Sequence, residues 1–334
     1  MPTAYLGVDA GNSKTVALAC LASGAVIGAG RSGCGDIYGA ATEEAAVAEV
    51  FAAIDAALDQ SGLDRGDIAA GAFRLAGIDW PIDREYWERA LDREWPSLPR
   101  RSILNDGYAA IRCGEPSGVG VAVAAGTAAA IAARGADGGL WDMSWWGQHA
   151  MGALGLVSEA VRAVFLADLG LAPPTALTKE LLAFYGRDDL AELNEWFTRR
   201  HDRATQPERV AAARTVTAVA AQGDEVARAI VDEQGRRLAL YAEVAARRVG
   251  LTDRAEPVPV VLAGSVLTAP DSPVAEAMHR HAAVLLPSAR LHVGALPPAA
   301  GAALDAIAEA DQPVDENTLE QLGATAPPPE FLVT

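Results

Sequence analysis

Near the start of the sequence, a short turn carries groups that could hold a phosphate and a divalent cation. The residues D-A-G-N-S-K-T occupy positions 9–15 and begin where an apolar run ends. The carboxylate of Asp9 could bind Mg²⁺, while free backbone amides, a lysine and a hydroxyl could hold phosphate oxygens. The same residues also fit an ordinary hairpin turn, in which Gly11 and Asn12 supply positive φ angles. The turn is not a P-loop, because the G-x-x-x-x-G-K-[ST] spacing is absent.

Two later turns have related chemistry. Gly126-Thr127 follows an apolar run in the middle of the chain, and Gly264-Ser265 follows another such run near its end. A single turn of this kind is most simply explained by the conformational freedom of glycine. The turn at 9–15 and the Gly126-Thr127 turn, however, would grip a polyphosphate from both sides if they face each other, so the pairing of these two turns is the informative observation.

Another polar loop could supply a general base. Asn105-Asp106-Gly107 follows a short apolar run directly. Taken alone, the tripeptide fits a helix cap or a turn. Beside a bound phosphate, the carboxylate of Asp106 could both orient a hydroxyl group and accept its proton.

The elements that must position these loops repeat along the chain. We predict strands at 5–8, 15–21, 25–29, 68–75, 102–104, 119–124, 129–133 and 258–262, and helices at 42–61, 83–95, 154–169, 178–201 and 208–249. Twice, a strand, a turn with Gly and Thr and a second strand are followed by helices and by strands that end in polar loops. This order predicts an α/β protein with two similar lobes and a cleft between them.

The length of 334 residues also favours two lobes. We assign residues 1–115 to an N-terminal lobe, 116–310 to a C-terminal lobe with helical insertions, and 311–334 to a tail. The tail contains prolines and is weakly patterned. It is therefore predicted to drape over the surface or to fray.

Composition narrows the class of partner. The chain carries 44 acidic and 27 basic residues, a formal net charge of −17. Clustered Lys and Arg are what hold nucleic acids and anionic membrane surfaces, so neither partner is expected. The start of the sequence has no basic segment followed by an apolar run of signal-peptide length, and no stretch reaches ~18 apolar residues. We therefore expect a cytoplasmic protein.

Two apparent motifs are set aside. The segment 28–33 reads G-A-G-R-S-G and matches G-x-G-x-x-G. A dinucleotide site needs these glycines to open a helix, whereas the next predicted helix begins only near residue 42. Cys20, Cys34 and Cys113 are widely spaced and suggest neither a disulfide framework nor a zinc site.

The motifs in their order resemble those of the actin/hexokinase-type (ASKHA) ATPase superfamily. D-x-G-x-x-x-T at 9–15, Asp106, Gly126-Thr127 and L-A-G-S-V at 262–266 resemble its two phosphate loops, its catalytic aspartate and its adenosine loop. W-W-G at 145–147, G-D at 223–224 and A-G-A-A at 300–303 follow in the expected order. Within the superfamily, residues 3 to about 308 most resemble the N-acetylglucosamine kinase and BadF/BadG/BcrA/BcrD ATPase group.

The resemblance implies two ribonuclease H-like (actin-like ATPase) lobes with mixed sheets, flanked by helices, and a central cleft. It implies ATP as the phosphate donor and Mg²⁺ held by Asp9, with Asp106 as the general base. It implies contacts with ATP and its phosphates from Asp9, Gly11, Asn12, Ser13, Lys14, Thr15, Gly126, Thr127, Gly223, Gly264 and Ser265. It implies contacts with a sugar substrate from Asp36, Gly77, Asp79, Asn105, Asp106, Trp146 and Gly147.

The substrate half departs from the pattern of this group. N-acetylglucosamine kinases usually carry a Gly-Asp-Glu-Gly-Ser-like stretch after the Trp-Gly pair, and here residues 152–156 read G-A-L-G-L. The second phosphate turn continues into Ala128 rather than Gly. A single hydrogen bond to a substrate hydroxyl can change selectivity by orders of magnitude. We therefore expect a kinase that acts on an amino sugar or a related hexose, and the sequence does not specify which sugar.

Two other functions stay open at this point. Some members of the group are activator ATPases, which need cysteines that ligate an iron–sulfur cluster at a dimer interface, and Cys113 stands alone in the later chain. A regulator that binds a sugar or a nucleotide without turnover is the other alternative. A homodimer is expected because the related kinases commonly form one.

Overall fold

In a computed structural model, which describes residues 3–143 and 150–332, the chain forms two five-stranded sheets flanked by helices. The strands are β1 (Ala4–Ala10), β2 (Thr15–Leu21), β3 (Val26–Ser32), β4 (Ile68–Leu75), β5 (Arg101–Asn105), β6 (Gly120–Ala125), β7 (Ala129–Arg134), β8 (Leu140–Asp142), β9 (Val258–Ala263) and β10 (Ala289–Val293). The helices are α1 (Glu43–Ser61), α2 (Pro81–Glu94), α3 (Ala153–Asp168), α4 (Leu177–Tyr185), α5 (Leu190–Thr198), α6 (Gln206–Val210), α7 (Ala213–Ala221), α8 (Glu225–Arg248), α9 (Ser265–Thr268), α10 (Pro273–Leu285), α11 (Pro298–Glu309), α12 (Glu316–Thr325) and α13 (Pro329–Leu332). Two 3₁₀ helices cover Arg65–Asp67 and Asp106–Cys113.

The two sheets have the same topology. The first has the strand order β3-β2-β1-β4-β5, and the second has the order β8-β7-β6-β9-β10. In each sheet, the first three strands along the chain pair antiparallel, the fourth pairs parallel with the first, and the fifth pairs parallel with the fourth. The prediction of an α/β protein built from two similar mixed sheets is confirmed.

Helix α1 shows how the local sequence sets an element. Thr42 caps its start, where the side chain accepts a hydrogen bond from the amide of Ala45 at 3.1 Å. Gly62 ends it in the left-handed region, with φ 66°. The buried side of α1, which includes Val50 and Ile54, packs against one face of the first sheet. Both ends of this helix lie where the sequence predicts them.

The other face of the first sheet is covered by α11. The packing is so close that a Cβ atom on Gly7 of β1 would lie 2.1 Å from the backbone nitrogen of Ala303. Alanines on α11, among them Ala299 and Ala300, pack against Tyr5 and against β2 and β4. Small residues on the helix and a glycine on the strand are therefore what allow the two backbones to approach.

The segment after residue 310 also packs on the first sheet. Its described part forms α12 and α13, and Leu322 of α12 is fully buried in the cluster that contains α11. The hydroxyl of Thr325 accepts a hydrogen bond from the amide of Val26 on the edge strand β3 at 2.9 Å. The division into a lobe at 1–115, a lobe at 116–310 and a tail at 311–334 stays a prediction.

The second sheet carries most of the helices. Val121 and Val123 of β6 lie in a core that α3, α7, α8 and α10 complete. The predicted helix at 178–201 is in fact two helices, because Gly186 takes φ 61° and ends α4. Asp189 then caps α5, since its carboxylate accepts a hydrogen bond from the amide of Glu192 at 2.9 Å. Within the described part of the chain, no helix combines the length and the apolarity that a membrane span requires.

A buried ionic cluster joins the two sheets. Asp305 of α11 is fully buried, and its carboxylate accepts from Arg74 of β4 at 2.6 Å, from Arg112 at 2.7 Å and from Arg134 of β7 at 2.8 Å. Burial alone would raise the pKa of Asp305, but the surrounding arginines hold it well below its usual range. Because these arginines come from both sheets, the cluster fixes their junction.

Candidate active site

The carboxyl ends of three parallel strands meet at one edge of the first sheet. β1, β4 and β5 run in the same direction, with Asp9 beside Arg74 and Leu75 beside Asn105. Asp9 lies near the end of β1, and Asp106 follows β5 directly. Both carboxylates therefore lie at the edge where open α/β sheets bind their ligands.

The first small-residue turn is a tight hairpin between β1 and β2. The amide of Gly11 donates to the carbonyl of Lys14 at 2.8 Å, and the carbonyl of Gly11 accepts from the amide of Gly35 at 3.1 Å. Thr15 is fully buried, and its hydroxyl donates to the carbonyl of Gly33 at 3.0 Å. The Thr15 hydroxyl therefore fastens the turn to the neighbouring loop, and its contact with phosphate stays a prediction.

The tip of this turn is open to solvent. Asn12 and Ser13 are exposed, whereas Lys14 is half-buried and its ammonium donates to the carbonyl of Leu332 on α13. Burial lowers the pKa of Lys14, and the nearby carboxylate of Asp9 opposes that shift. Lys14 and Asp9 are thus close enough to act on one ligand.

The second turn belongs to the other lobe and is fixed by the start of α3. The amide of Gly126 donates to the carbonyl of Ala128 at 2.9 Å, and the carbonyl of Gly126 accepts from the amide of Ala153 at 2.9 Å. Gly152 takes φ 76°, and a Cβ there would lie 2.8 Å from the carbonyl oxygen of Ala128. Thr127 is exposed at the tip, so its hydroxyl and the turn face solvent.

The predicted adenosine loop lies beside the second turn. Gly264 takes φ 80°, and a Cβ on it would lie 2.5 Å from the carbonyl carbon of Ala125. Ser265 is exposed and begins α9. Gly223 has φ 103° and precedes Asp224, which caps α8 by accepting from the amide of Ala227 at 2.9 Å. Gly264 and Ser265 thus adjoin the second turn, while Gly223 lies at the α7–α8 connection and its contact with nucleotide stays a prediction.

The loop that carries Asp106 is held by its neighbour Asn105. The amide oxygen of Asn105 accepts from the backbone amide of Gly107 at 3.0 Å, and its NH₂ group donates to the carbonyl of Ile78 at 3.3 Å and to Asp79 at 3.5 Å. A Cβ on Gly107 would lie 3.3 Å from the Cβ of Ala130 in the other lobe. Asn105 therefore fixes the loop of Asp106 between the loop at 78–79 and strand β7.

Asp36 and the loop after β4 form one wall of the site. Asp36 is almost fully buried, and its carboxylate accepts from the amide of Tyr38 at 2.9 Å. Gly77 takes φ 76°, and a Cβ on it would lie 2.5 Å from Oδ1 of Asp36. Only glycine fits this approach. Of the predicted substrate contacts, Trp146 and Gly147 lie outside the described residues.

The electrostatics of the site are those of crowded carboxylates. Burial, followed by the negative charges of Asp9, Asp36 and Asp79, raises the pKa of Asp106 to about 7. Burial raises the pKa of Asp9 to about 6, while the charge of Lys14 acts in the opposite direction. A carboxylate with a pKa near neutrality can accept and release a proton at physiological pH.

Three residues that the sequence patterns do not single out complete the wall. Tyr38 donates its hydroxyl to Asp83 at 2.8 Å, and Asp83 also accepts from the amides of Asp79 at 3.0 Å and Trp80 at 2.7 Å. Tyr38 and Trp80 are 60% and 49% exposed. Pro81 with Asp83 in the first turn of α2 is a helix-start signal that could have identified Asp83. No local sequence pattern predicts the hydrogen bond between Asp83 and Tyr38.

A cavity of about 430 Å³ opens beside this wall. Its lining comes from the loop before α2, from the first turns of α2 and from β8: Ile78, Asp79, Trp80, Pro81, Arg84, Glu85 and Asp142. The volume lies within the range of ~300–1,000 Å³ typical of small-molecule sites. The cavity therefore offers room for a small molecule beside Asp79.

Asp9 offers the kind of oxygen donor that magnesium takes in proteins. Among the residues that the structure describes, no group of three or more His, Cys, Asp or Glu side chains is arranged to hold a metal ion. Mg²⁺ is usually bound by one or two carboxylates together with substrate phosphates and water. Asp9, which lies beside the first turn, can supply such a carboxylate.

Two mixed sheets of one topology, each with a small-residue turn after its first strand, are the arrangement of an actin-like ATPase fold. Residues 6–306 match the model of the BadF/BadG/BcrA/BcrD ATPase family. The chain belongs to this family, and the resemblance predicted from its motifs is confirmed. No curated protein is significantly similar in sequence.

Solved structures share this fold over most of their length. A candidate N-acetylglucosamine kinase from Chromobacterium violaceum is 23% identical, with a TM-score of 0.65 over 91% of this chain and 98% of the other. A candidate N-acetylglucosamine kinase from Porphyromonas gingivalis is 17% identical, with a TM-score of 0.59 over 89% and 96%. A ROK family glucokinase from Streptomyces griseus, solved with glucose and AMPPNP, is 17% identical, with a TM-score of 0.54 over 92% and 98%.

Proposed function

We propose that the protein is an ATP-dependent carbohydrate kinase that transfers the γ-phosphate of ATP to a hydroxyl of an amino sugar or a related hexose. The observation that carries this proposal is the position of Asp106. This carboxylate lies at the ligand-binding edge of the first sheet, and its neighbour Gly107 adjoins Ala130 of the second lobe. A base so placed between two lobes is what phosphoryl transfer to a hydroxyl needs.

Different residues of the chain would bind the phosphates, hold the metal ion and accept the proton. The turns at 11–15 and 126–128, with Lys14, would bind and orient the phosphates, and Gly264 and Ser265 would border the nucleoside. Mg²⁺ held by Asp9 would neutralise the charge of the transferring group when bound. Asp106 would orient the acceptor hydroxyl and take its proton, and its raised pKa makes it a better base than an ordinary carboxylate.

The acceptor wall favours a sugar with an amino substituent. Asp36 and Asp79 lie close enough to Asp106 for their charges to raise its pKa. Carboxylates accept hydrogen bonds from sugar hydroxyls and from an ammonium group alike. The exposed rings of Tyr38 and Trp80 offer apolar faces at the same wall. Together these groups support an amino sugar ahead of an anionic acceptor.

Two of the three cysteines argue against the activator alternative. Cys113 is 1% exposed and lies beneath α11, where its sulfur contacts the carbonyls of Ala109 and Pro297 at 3.3 Å. Cys20 is fully buried. Burial raises the pKa of both thiols. Neither sulfur can reach a cluster shared across a subunit surface without unpacking the first lobe.

An Asp106→Asn variant tests the proposed function. Asparagine keeps the shape of the side chain but cannot accept the hydroxyl proton, so sugar-dependent ATP consumption should fall by about 10²–10⁴-fold. Nucleotide binding, measured by calorimetry, should stay nearly unchanged. Asp59→Asn on the exposed side of α1 is the matched control and should keep full activity.

The assay screens free amino sugars, N-acetylated sugars, plain hexoses and nucleosides as acceptors. Turnover by the Asp106→Asn variant at the wild-type rate contradicts the role of Asp106. Nucleotide binding without turnover on any acceptor would favour the regulator instead. A homodimer and a cytoplasmic location stay predictions.

A further inference from the structure

Helix α13 lies against the first phosphate turn. Besides the ammonium of Lys14, which donates to the carbonyl of Leu332, the guanidinium of Arg31 donates to the carbonyls of Glu330 at 2.9 Å and Phe331 at 3.0 Å. Three successive backbone carbonyls thus converge on two cations. We call residues 329–332 the α13 latch.

The two cations are neighbours because of the strand register. Val16 of β2 pairs with Arg31 of β3, so Lys14, two residues before Val16, lies near Arg31. The charge of Arg31 adds to the effect of burial in lowering the pKa of Lys14. Two adjacent cations repel each other, and a hydrogen-bond acceptor that both can reach offsets this repulsion. In the latched arrangement, carbonyl oxygens left unpaired at the end of a helix supply that acceptor.

Apolar contacts hold the latch in place. Leu332 is only 7% exposed and packs in the cluster that contains Leu322 of α12 and Leu304 of α11. α12 is itself bound to the edge of the first sheet through Thr325. The latch is therefore a docked segment whose polar end reaches the phosphate turn.

We propose that the α13 latch and the phosphates of ATP compete for Lys14, so that nucleotide must open the latch in order to bind. This inference rests on the proposed function, in which Lys14 contacts the phosphates. An ammonium binds a charged phosphate oxygen more strongly than a neutral carbonyl, so ATP can displace the latch. The apparent Kd for ATP then equals the intrinsic Kd divided by the fraction of molecules in which the latch is open.

Arg31→Ala tests the latch without altering the phosphate turn. The substitution removes the donors to Glu330 and Phe331 and leaves Lys14 in place. If about nine molecules in ten are latched, the apparent Kd for Mg-ATP should fall up to about tenfold. Arg89→Ala, which removes an exposed arginine from α2, is the matched control and should leave the Kd unchanged. Isothermal titration calorimetry measures the Kd for all the variants.

A truncated variant shows whether the effect of Arg31→Ala comes from the latch or from the loss of the arginine itself. A chain without residues 329–334 should show the same tighter binding and an unchanged thermal unfolding midpoint to within a few degrees. In a Lys14→Met background, which binds ATP more weakly, neither change should improve the affinity further, because the latch acts through Lys14. A gain that persists without Lys14 overturns the proposal.

The outcomes separate the latch from the proposed function. If wild type and Arg31→Ala bind ATP equally, the latch is wrong and the kinase proposal stands. If opening the latch weakens binding, the segment positions Lys14 and the competition is wrong. If no variant binds ATP, the proposed function fails, and the competition fails with it.

Discussion

Asp106 owes its chemistry to its surroundings. Its side chain is partly buried at the lobe junction, and Asp9, Asp36 and Asp79 add their negative charges. An isolated aspartate with a pKa near 4 is fully ionised at neutral pH and is a weak base. The raised pKa of Asp106 brings proton transfer into the physiological range, at the cost of leaving part of the population protonated.

The pH dependence of turnover follows from this shift. The base must be ionised, and with a pKa of about 7 the ionised fraction rises from about 0.1 at pH 6 to about 0.9 at pH 8. We expect kcat/KM to rise about tenfold over this interval, measured at saturating Mg-ATP. Asp36→Asn removes one of the charges that raise the pKa, so its inflection should move to lower pH. A profile that is flat from pH 6 to 8 in wild type would contradict this account.

At the scale of single residues, the sequence predicts which side chains can do chemistry better than it predicts which side chains contact each other. Asp9 and Asp106 stand beside recognisable turns, so their residue types and spacing suffice to select them. The bond from Tyr38 to Asp83 joins positions 45 residues apart. Such a pair is set by how the loop after β3 meets the start of α2, which no local pattern encodes.

Among the elements, the glycines of β3 have a packing role. The G-x-G-x-x-G run at 28–33 is set aside above as a dinucleotide motif, and the structure gives its glycines another purpose. A Cβ on Gly28 would lie 2.1 Å from the carbonyl oxygen of Ala57, and one on Gly30 would lie 1.9 Å from that of Ala53. The edge strand can therefore lie directly on the backbone of α1.

Gly30→Ala should destabilise the fold. The added methyl meets backbone rather than a movable side chain, so α1 must shift, and overpacking of this kind costs about 1–3 kcal/mol or more. Urea unfolding at constant pH measures the change in the free energy of unfolding. Gly66→Ala is the matched control, since a Cβ there meets nothing within 4 Å, and it should change stability by less than about 0.5 kcal/mol. Equal stabilities of the two variants would contradict the packing role.

Helix ends with strong caps are well predicted, and docked segments are not. Thr42 and Gly62 bound α1 by local signals that the sequence displays. The segment around Leu322 looks weakly patterned because it needs only one narrow apolar side, which packs into a groove formed by β2, β3 and α11. That groove exists only after distant strands have assembled.

Across the whole molecule, Asp305 connects the lobes. It neutralises arginines from β4, from the 3₁₀ helix after β5 and from β7, and it comes itself from α11. Because its folded pKa lies below the usual range, the stabilisation it provides is complete above about pH 4 and is lost as pH falls towards the lower folded value. Neutral and mildly acidic conditions should thus leave the junction intact.

Asp305→Ala should be strongly destabilising. The substitution takes from Arg112 and Arg134 the carboxylate they pair with, while Arg74 keeps Glu309 at 2.8 Å. Breaking a buried ion pair by removing one partner costs about 3–5 kcal/mol. Chemical unfolding followed by tryptophan fluorescence measures the loss. Asp55→Ala, which breaks an exposed pair with Arg65, is the control and should cost at most about 1 kcal/mol. A loss for Asp305→Ala no larger than that of the control would show that the cluster does not hold the lobes together.

The packing of α11 on the first sheet also has a consequence for biosynthesis. About 190 residues separate β5 from α11, and a ribosome needs ~10–40 s to make them. During that time the face of the sheet that carries Tyr5, Val16 and Leu18 has no α11 to cover it. The nascent chain completes its second lobe before that face is closed. This face of the first sheet is therefore covered last, although the strands of the sheet leave the ribosome first.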